Sequence, residues 1–322
     1  MNATARAGSN IAFIKYWGVA DAALNLPLTN SISMTLDRLY TVTTVNFDDA
    51  LDADVIVIDG AERRGDARRR AVQQLDRLRQ LAKIETKAEV QSRNNFPMGA
   101  GIASSASAFA ALTLAASEAL GLGLDHRALS RVARRASGSA SRSLFGGFVE
   151  WQAGHDDESS YAEPLFDSHH WHELRDVVAV VAHEEKKVSS ADGHGLARSS
   201  PFLHARVDQA ERLLPTVRKA IRARDLMELG PAIEADALAM HFVMMSSQPP
   251  LFYWSPQTLH LLKKVQLWRE QGLQAYFTID AGPNIHFICE DYQEGELIAL
   301  LQRLDSVKEI FSASPGPAAM IE

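Results

Sequence analysis

The segment Pro97-Met98-Gly99-Ala100-Gly101-Ile102-Ala103-Ser104-Ser105-Ala106 constrains this chain more than any other. A strand-like run, Ala88 to Arg93, feeds it through a turn at Asn94-Asn95-Phe96-Pro97. An Ala/Leu-rich stretch with helical character follows, from Ser104-Ser105 to Gly121-Leu122-Gly123. Glycines let backbone N–H groups converge with no Cβ in the way. The first turn of a helix adds unpaired N–H groups and the positive end of its dipole. Together they predict a concavity for a phosphate. Ser104 and Ser105 add hydroxyls suited to a phosphate oxygen or a Mg2+. The Gly-Lys-Ser/Thr of a Walker A loop is missing, and so is a dinucleotide fingerprint. Local composition alone leaves a second reading open, a glycine-containing turn that simply caps an Ala-rich helix.

The surrounding pattern is α+β, not a repeating βαβ. Ile11 to Ile14, Ser31 to Leu36, Tyr40 to Phe47 and Val55 to Ile58 read as strands. Asp66 to Lys83 reads as a helix, with Val72, Leu75, Leu78 and Ala82 on one face and its arginines on a solvated one. Asp125 is placed to cap a helix through Arg135. The polar stretch His155 to His172 reads as a loop, and Val177 to Ala182 as a strand, which puts a boundary at 182 between lobes 1–182 and 183–322. The second lobe shows helical periods at about 203–223, 226–246, 256–271 and 293–304, with β-like runs at 275–279, 285–289 and 307–312.

Composition narrows the partners. Hydrophobic residues make up 46% and charged ones 23%, and the formal net charge is −7. An acidic chain argues against a nucleic-acid binder, since that affinity rests on Lys and Arg neutralising phosphates. Any anionic ligand must be held by a few placed donors. A lone Cys289 rules out an intrachain disulfide and a cysteine-based zinc site. No apolar run approaches the roughly 18 residues that span a membrane. The expectation is a cytoplasmic protein with a small-molecule substrate and neither a membrane nor a nucleic-acid partner. His169, His170 and His172 have no second ligand set at fixed spacing, so they read as loop residues.

The phosphate segment resembles the Pro-x-x-x-Gly-Leu-x-Ser-Ser-Ala loop of the GHMP kinase superfamily. Three further segments resemble signatures of its mevalonate (di)phosphate decarboxylase branch: Asn10-Ile11-Ala12-Phe13-Ile14-Lys15-Tyr16-Trp17-Gly18, Ser137 to Phe148 (SGSASRSLFGGF), and Ile279-Asp280-Ala281-Gly282-Pro283-Asn284. The matches are in order and spread over nearly the whole chain. The resemblance implies a two-lobed α+β fold, with an N-terminal lobe like ribosomal protein S5 domain 2 and a ferredoxin-like C-terminal lobe. It implies ATP and Mg2+ as cofactors and a homodimer. It implies a reaction in which ATP phosphorylates a tertiary 3-hydroxyl and the phosphate then leaves as the adjacent carboxylate departs as CO2.

Three residues are expected to carry that chemistry. Asp280, at a strand end before Ala-Gly-Pro, is the candidate base; on position alone it equally caps a turn. Lys15 follows an apolar run and is expected to orient Asp280, lower its pKa or meet phosphoryl oxygens; the alternative is a lysine that snorkels outward. Arg142 suits bidentate contact with carboxylate or phosphate, and the resemblance puts it on the anionic substrate tail together with Ser137 and Ser139, whose alternative is helix capping. Tyr16 is a hydrogen-bond donor to substrate or a packed aromatic. Gly99, Gly101, Ala103, Ser104 and Ser105 are expected at the nucleotide, with Ser105 also at Mg2+. Ser92 and Asn95 join them only from their place just before the loop.

The chain departs from its branch at two positions. Val19 stands where a lysine usually follows Lys-Tyr-Trp-Gly, and Ala191 where an arginine usually follows Val-Ser-Ser. The resemblance puts both cations on the diphosphate tail. One charge-assisted contact is worth about 1.5–3 kcal/mol, so the expectation is a tail of lower charge: mevalonate 5-phosphate, decarboxylated to isopentenyl phosphate. The alternative is mevalonate 5-diphosphate with other residues replacing the missing cations. A mevalonate 3-kinase and a non-catalytic ligand sensor are the remaining readings.

Overall fold

The computed structural model describes residues 1–96, 104–182 and 188–322. The first lobe contains β1 (Asn2–Ile14), β2 (Val19–Asp21), β3 (Leu26–Pro27), β4 (Ser31–Phe47), β5 (Val55–Ile58), β6 (Ala61–Glu62), α1 (Gly65–Ala82), β7 (Ala88–Asn94), α2 (Ser104–Ala119), α3 (His126–Arg134), β8 (Phe148–Trp151) and β9 (Ala162–Phe166). The second contains β10 (Leu174–Val180), α4 (Ser190–Leu196), α5 (Leu203–Ala223), α6 (Leu226–Met245), α7 (Pro256–Glu270), β11 (Ala275–Thr278), β12 (Ile285–Glu290), α8 (Asp291–Gln302) and β13 (Glu309–Ala313). A last strand, β14 (Met320–Ile321), returns to the first lobe.

The first sheet is built on β4, which runs for 17 residues. Its second half pairs with β7 and its first half with β8, so the sheet branches there, and β1 lies along its whole length. The sequence reads two strands because Asp37-Arg38 interrupts the alternation. The structure keeps one strand with a bulge opposite Gly8, where a Cβ would sit 2.5 Å from the Leu36 carbonyl oxygen. β1 is likewise longer than its apolar end. Its first half is lined by Ala5 and Ala7, both buried, and α2 packs on it through Ala110 and Ala111. Small residues on both sides let helix and sheet approach closely. β9, inside the stretch read as a loop, pairs with β8.

The second sheet has the order β11-β12-β10-β13 and is antiparallel throughout. Two of its strands flank a helical run and two flank α8. That order and connectivity are those of the ferredoxin-like fold. β10 belongs wholly to this sheet, so the change of lobe precedes Leu174 rather than falling at 182. α7 and α8 cover one face of the sheet. The other face shares a continuous core with β1, β4, α5 and α6, in which Ile11, Phe13 and Ile14 meet Val178, Val180, Leu229 and Ile233.

One buried ion pair ties the lobes at the end of β1. Arg206 of α5 and Asp236 of α6 lie 2.9 Å apart and are almost fully buried. Asp236 Oδ2 accepts the Lys15 backbone N–H at 2.8 Å, and Arg206 donates to the Lys15 carbonyl at 3.1 Å. Among the described residues, no helix is long and apolar enough to cross a membrane. Arg206→Met should cost about 3–5 kcal/mol, because it strands a buried carboxylate. Urea unfolding of the variant measures this, and a loss below about 1 kcal/mol, the range of an exposed pair, would show that the pair is not the anchor described.

Candidate active site

A cleft of about 620 Å3 opens between the lobes. Its floor is set by two chain ends that the fold brings together across 265 residues. Lys15 emerges from the buried end of β1 with its backbone fixed by Asp236, and its ammonium is 2.5 Å from Asp280 Oδ1. Lys15 is 2% exposed, so it does not snorkel outward, whereas Asp280 is 22% exposed and faces the cleft.

Asp280 is held by the turn that follows β11. The Gly282 N–H donates to the Asp280 carbonyl at 2.7 Å. Asn284 accepts the Val181 and Ala182 N–H groups at 2.8 and 3.2 Å, which pins the turn to the end of β10. Thr258 donates to the Pro283 carbonyl at 2.6 Å. These contacts account for the Asp-Ala-Gly-Pro-Asn segment: Asn284 is the tie and Asp280 is the group left facing the cleft. Burial works to raise the Asp280 pKa. The Lys15 ammonium, then His286 and Arg142, outweigh it and hold the carboxyl below its ordinary value.

Arg142 lies beside this pair. It is buried, and its Nε donates to Ser33 Oγ at 2.8 Å, its Nη1 to Ser31 Oγ and its Nη2 to Asn10 Oδ1 at 3.3 Å. All three acceptors are neutral, so its charge is not cancelled by a contacting carboxylate. Burial pushes its pKa down to about 10, while Asp280 and Tyr16 oppose the fall. Tyr16 donates to Asn25 Oδ1 at 2.7 Å and packs edge-on to Trp151. A Cβ at Gly138 would sit 2.5 Å from the Tyr16 ring, so glycine is required for the serine segment to pass it. Ser137 precedes the short helical turn Gly138–Ser141 but makes no side-chain cap bond. Its hydroxyl lies 3.4 Å from both Ser105 Oγ and Ser139 Oγ, so three hydroxyls line one wall.

Ser104 and Ser105 open α2, a 16-residue helix with no acidic residue in its first turn, and both line the cleft. That end suits the phosphates of a nucleotide, with the Ser105 hydroxyl available to a hard cation. Gly99, Gly101 and Ala103 lie outside the described residues. Ser92 and Asn95, expected at the nucleotide, also bond within the sheet. Ser92 bonds Thr43 Oγ1 at 2.9 Å, and Asn95 bonds the Tyr40 N–H and the Arg38 carbonyl. Among the described residues no group of His, Cys, Asp and Glu is placed to hold a metal ion.

The cleft also contains residues that sequence reasoning passed over. Arg70, Gln73 and Arg77 of α1 line it, so the supposed solvated face of that helix is partly a cleft wall. Their i, i+3, i+7 spacing was visible, but a helix stripe of arginines looks the same whether it meets water or a ligand. His194 of α4 stacks on Tyr16 at 4.0 Å, and its Nδ1 accepts the Gly18 N–H at 3.1 Å. Lys15, Arg70, Arg77, Arg135 and Arg142 line the cleft, and Asp280 is the one carboxylate among its described lining residues. A chain of net charge −7 has thus gathered cations at one place, which is the field an anionic ligand needs.

A two-lobed GHMP-kinase-type fold with a phosphate-receiving helix and a lysine–aspartate pair defines a phosphoryl-transfer class. The family described as "Diphosphomevalonate decarboxylase-like N-terminal domain" matches residues 7–162, and "Mevalonate 5-diphosphate decarboxylase C-terminal domain" matches residues 176–315. The chain belongs to the mevalonate diphosphate decarboxylase family. It is 35% identical to diphosphomevalonate decarboxylase of Candida albicans, over 94% of this chain and 88% of that one. With the human enzyme it shares 36%, over 92% and 78%. Among solved structures, mevalonate diphosphate decarboxylase from Staphylococcus aureus is 39% identical with a TM-score of 0.95, covering 100% of this chain and 98% of that one. The enzyme called MDDEF, in complex with MVAPP, AMPPCP and magnesium, is 40% identical with a TM-score of 0.95, covering 100% and 99%.

Lys15→Met removes the largest influence that lowers the Asp280 pKa and leaves burial opposed only by His286 and Arg142. The acid limb of kcat/KM, expected below the ordinary carboxylate range in the wild type, should therefore move to higher pH in the variant. A pH–rate profile with an unmoved limb would break the assignment of that ionisation to the pair.

Proposed function

We propose that this protein is an ATP-dependent decarboxylase of mevalonate 5-diphosphate. The observation that carries the reading is the Asp280–Lys15 pair on the floor of a cleft whose wall is the N-terminus of α2. The named relatives are diphosphate enzymes, and a solved relative binds an ATP analogue and magnesium. This favours the diphosphate over the monophosphate expected from Val19 and Ala191.

Asp280 accepts the proton of the 3-hydroxyl as its oxygen attacks the terminal phosphorus of ATP. The charged Lys15 keeps the carboxylate ionised and stands beside the phosphoryl oxygens. The 3-phosphate then leaves with the C3–O electron pair. The C1–C2 bond breaks to release CO2, and its electrons form the C2–C3 double bond. Arg142 lies at the floor beside Asp280, so its uncancelled charge serves the substrate carboxylate and the departing phosphate rather than the far end of the tail. Ser104, Ser105, Ser137 and Ser139 orient phosphate oxygens from the wall. The Ser105 hydroxyl would help hold a nucleotide-bound Mg2+, which would supply neutralisation of phosphate charge.

One observation favours the monophosphate. The apolar Val19 side chain lines the cleft where the branch usually offers a cation. Purified protein with Mg-ATP should release ADP and CO2 in equal amounts from mevalonate 5-diphosphate, with a higher kcat/KM than from the 5-phosphate. A reversed preference would overturn the tail reading. ADP without CO2 would make the protein a 3-kinase, and no substrate-dependent ADP would leave a sensor.

A further inference from the structure

The backbone that carries Lys15 into the cleft is gripped a second time, a few residues further on, by a histidine of the second lobe. Gly18 is buried and has φ +91°, a turn that favours glycine. Its N–H donates to His194 Nδ1 at 3.1 Å. Among the described residues no other acceptor takes that N–H. A backbone N–H can only donate, so Nδ1 must accept. The imidazole is therefore neutral, with its proton on Nε2. Four residues later, Arg198 Nη2 donates to the Val19 and Ala20 carbonyls at 3.0 and 2.9 Å. His194 and Arg198 thus hold successive backbone groups of residues 18–20, whatever side chains stand there.

The His194 ring makes a second contact. It stacks on Tyr16 with centroids 4.0 Å apart and planes inclined by 27°, and it lies 4.5 Å from the Trp17 ring. Trp151 meets Tyr16 edge-on at 4.7 Å, so two rings, one from each lobe, fix the phenol. Gly193 permits the approach, since a Cβ there would sit 2.6 Å from Trp17 Cη2. Trp17 packs among Leu203, Met240 and Leu251 of the second lobe. Asp236 and Arg206 hold the Lys15 backbone, and His194 holds Gly18, so the intervening Tyr16 and Trp17 are fixed at both ends. Tyr16, Trp17, Val19 and His194 all line the cleft.

We propose that His194 is a positioning residue for the substrate: by accepting the Gly18 N–H and stacking on Tyr16, it sets the cleft face of residues 16–19 in the shape that binds substrate. The proposal rests on the decarboxylase reading above. Asp280 and the Lys15 backbone are fixed by other contacts, the turn after β11 and the Arg206–Asp236 pair. The contribution of His194 is therefore to binding more than to the chemical step, and it acts through Gly18 and Tyr16 instead of touching the reacting atoms.

Two substitutions separate its two contacts. His194→Phe keeps a ring on Tyr16 and removes the acceptor. His194→Asn gives up the ring and keeps an oxygen near the place of Nδ1. With mevalonate 5-diphosphate, KM should rise about tenfold in His194→Phe, the scale of a buried N–H left without a partner. The kcat should stay within about threefold of wild type, as for a change in binding alone. His194→Asn should recover part of the lost affinity. Amide exchange at Gly18, followed by NMR, should be slow in wild type and in His194→Asn and about tenfold faster in His194→Phe. A purely structural role would lower the active fraction, and so kcat, with KM unmoved; that result would overturn the proposal. Unchanged Gly18 exchange in His194→Phe would overturn it as well, by showing that His194 does not hold that N–H. Wild type that releases no CO2 from either substrate is a distinct failure. It would refute the decarboxylase reading and with it the substrate role given to His194, while Gly18 exchange would still report the contact.

Discussion

Everything at the cleft floor depends on where the Lys15 backbone sits. The buried Arg206–Asp236 pair grips both its N–H and its carbonyl, from two helices of the other lobe. Its ammonium then has one place to go, the Asp280 carboxylate. A buried pair of this kind is a poor source of net stability, because desolvation offsets most of the attraction. Its value here is positional. It sets the end of β1 against the turn after β11, which brings a base and a cation from opposite ends of the chain into contact.

The electrostatics follow from that geometry. Asp280 is ionised because Lys15, His286 and Arg142 outweigh its burial. His286 is itself buried against Asp176, with Nδ1 2.8 Å from Oδ2, and its pKa is raised by that carboxylate against the opposing effect of burial. Arg142 keeps its charge with only neutral oxygens around it. The cleft is therefore rich in positive charge before any ligand enters. The phosphates and carboxylate of a substrate complete the balance, in a site where water is partly displaced and each contact is stronger than at the surface.

Much of the site was legible in the sequence because its members lie in short ordered segments. Lys15, Arg142 and Asp280 each sit in one, and the cleft brings all three together. The fold class followed from the same segments and from the change of period along the chain. What escaped did so for physical reasons. The first half of β1 is built of small residues chosen for close packing against α2, and carries no apolar alternation. β4 reads as two strands because a bulge hides a continuous ladder. β10 was assigned to the wrong lobe because a strand's sheet is decided by partners more than 100 residues away. Arg70 and Arg77 read as solvated because α1 meets the cleft only after folding.

The central claim is that Asp280 is the base and acts from a geometry that does not depend on its own charge for binding. Replacing it by Asn keeps the shape and removes the basic oxygen. Single-turnover ADP and CO2 formation in Asp280→Asn, with nucleotide and substrate affinities measured alongside, tests this most directly. The rate should fall by about 10²–10⁴, the contribution of a positioned general base, while both ligands still bind with affinities close to wild type. A rate within about tenfold of wild type, a barrier change of only ~1.4 kcal/mol, would contradict the account.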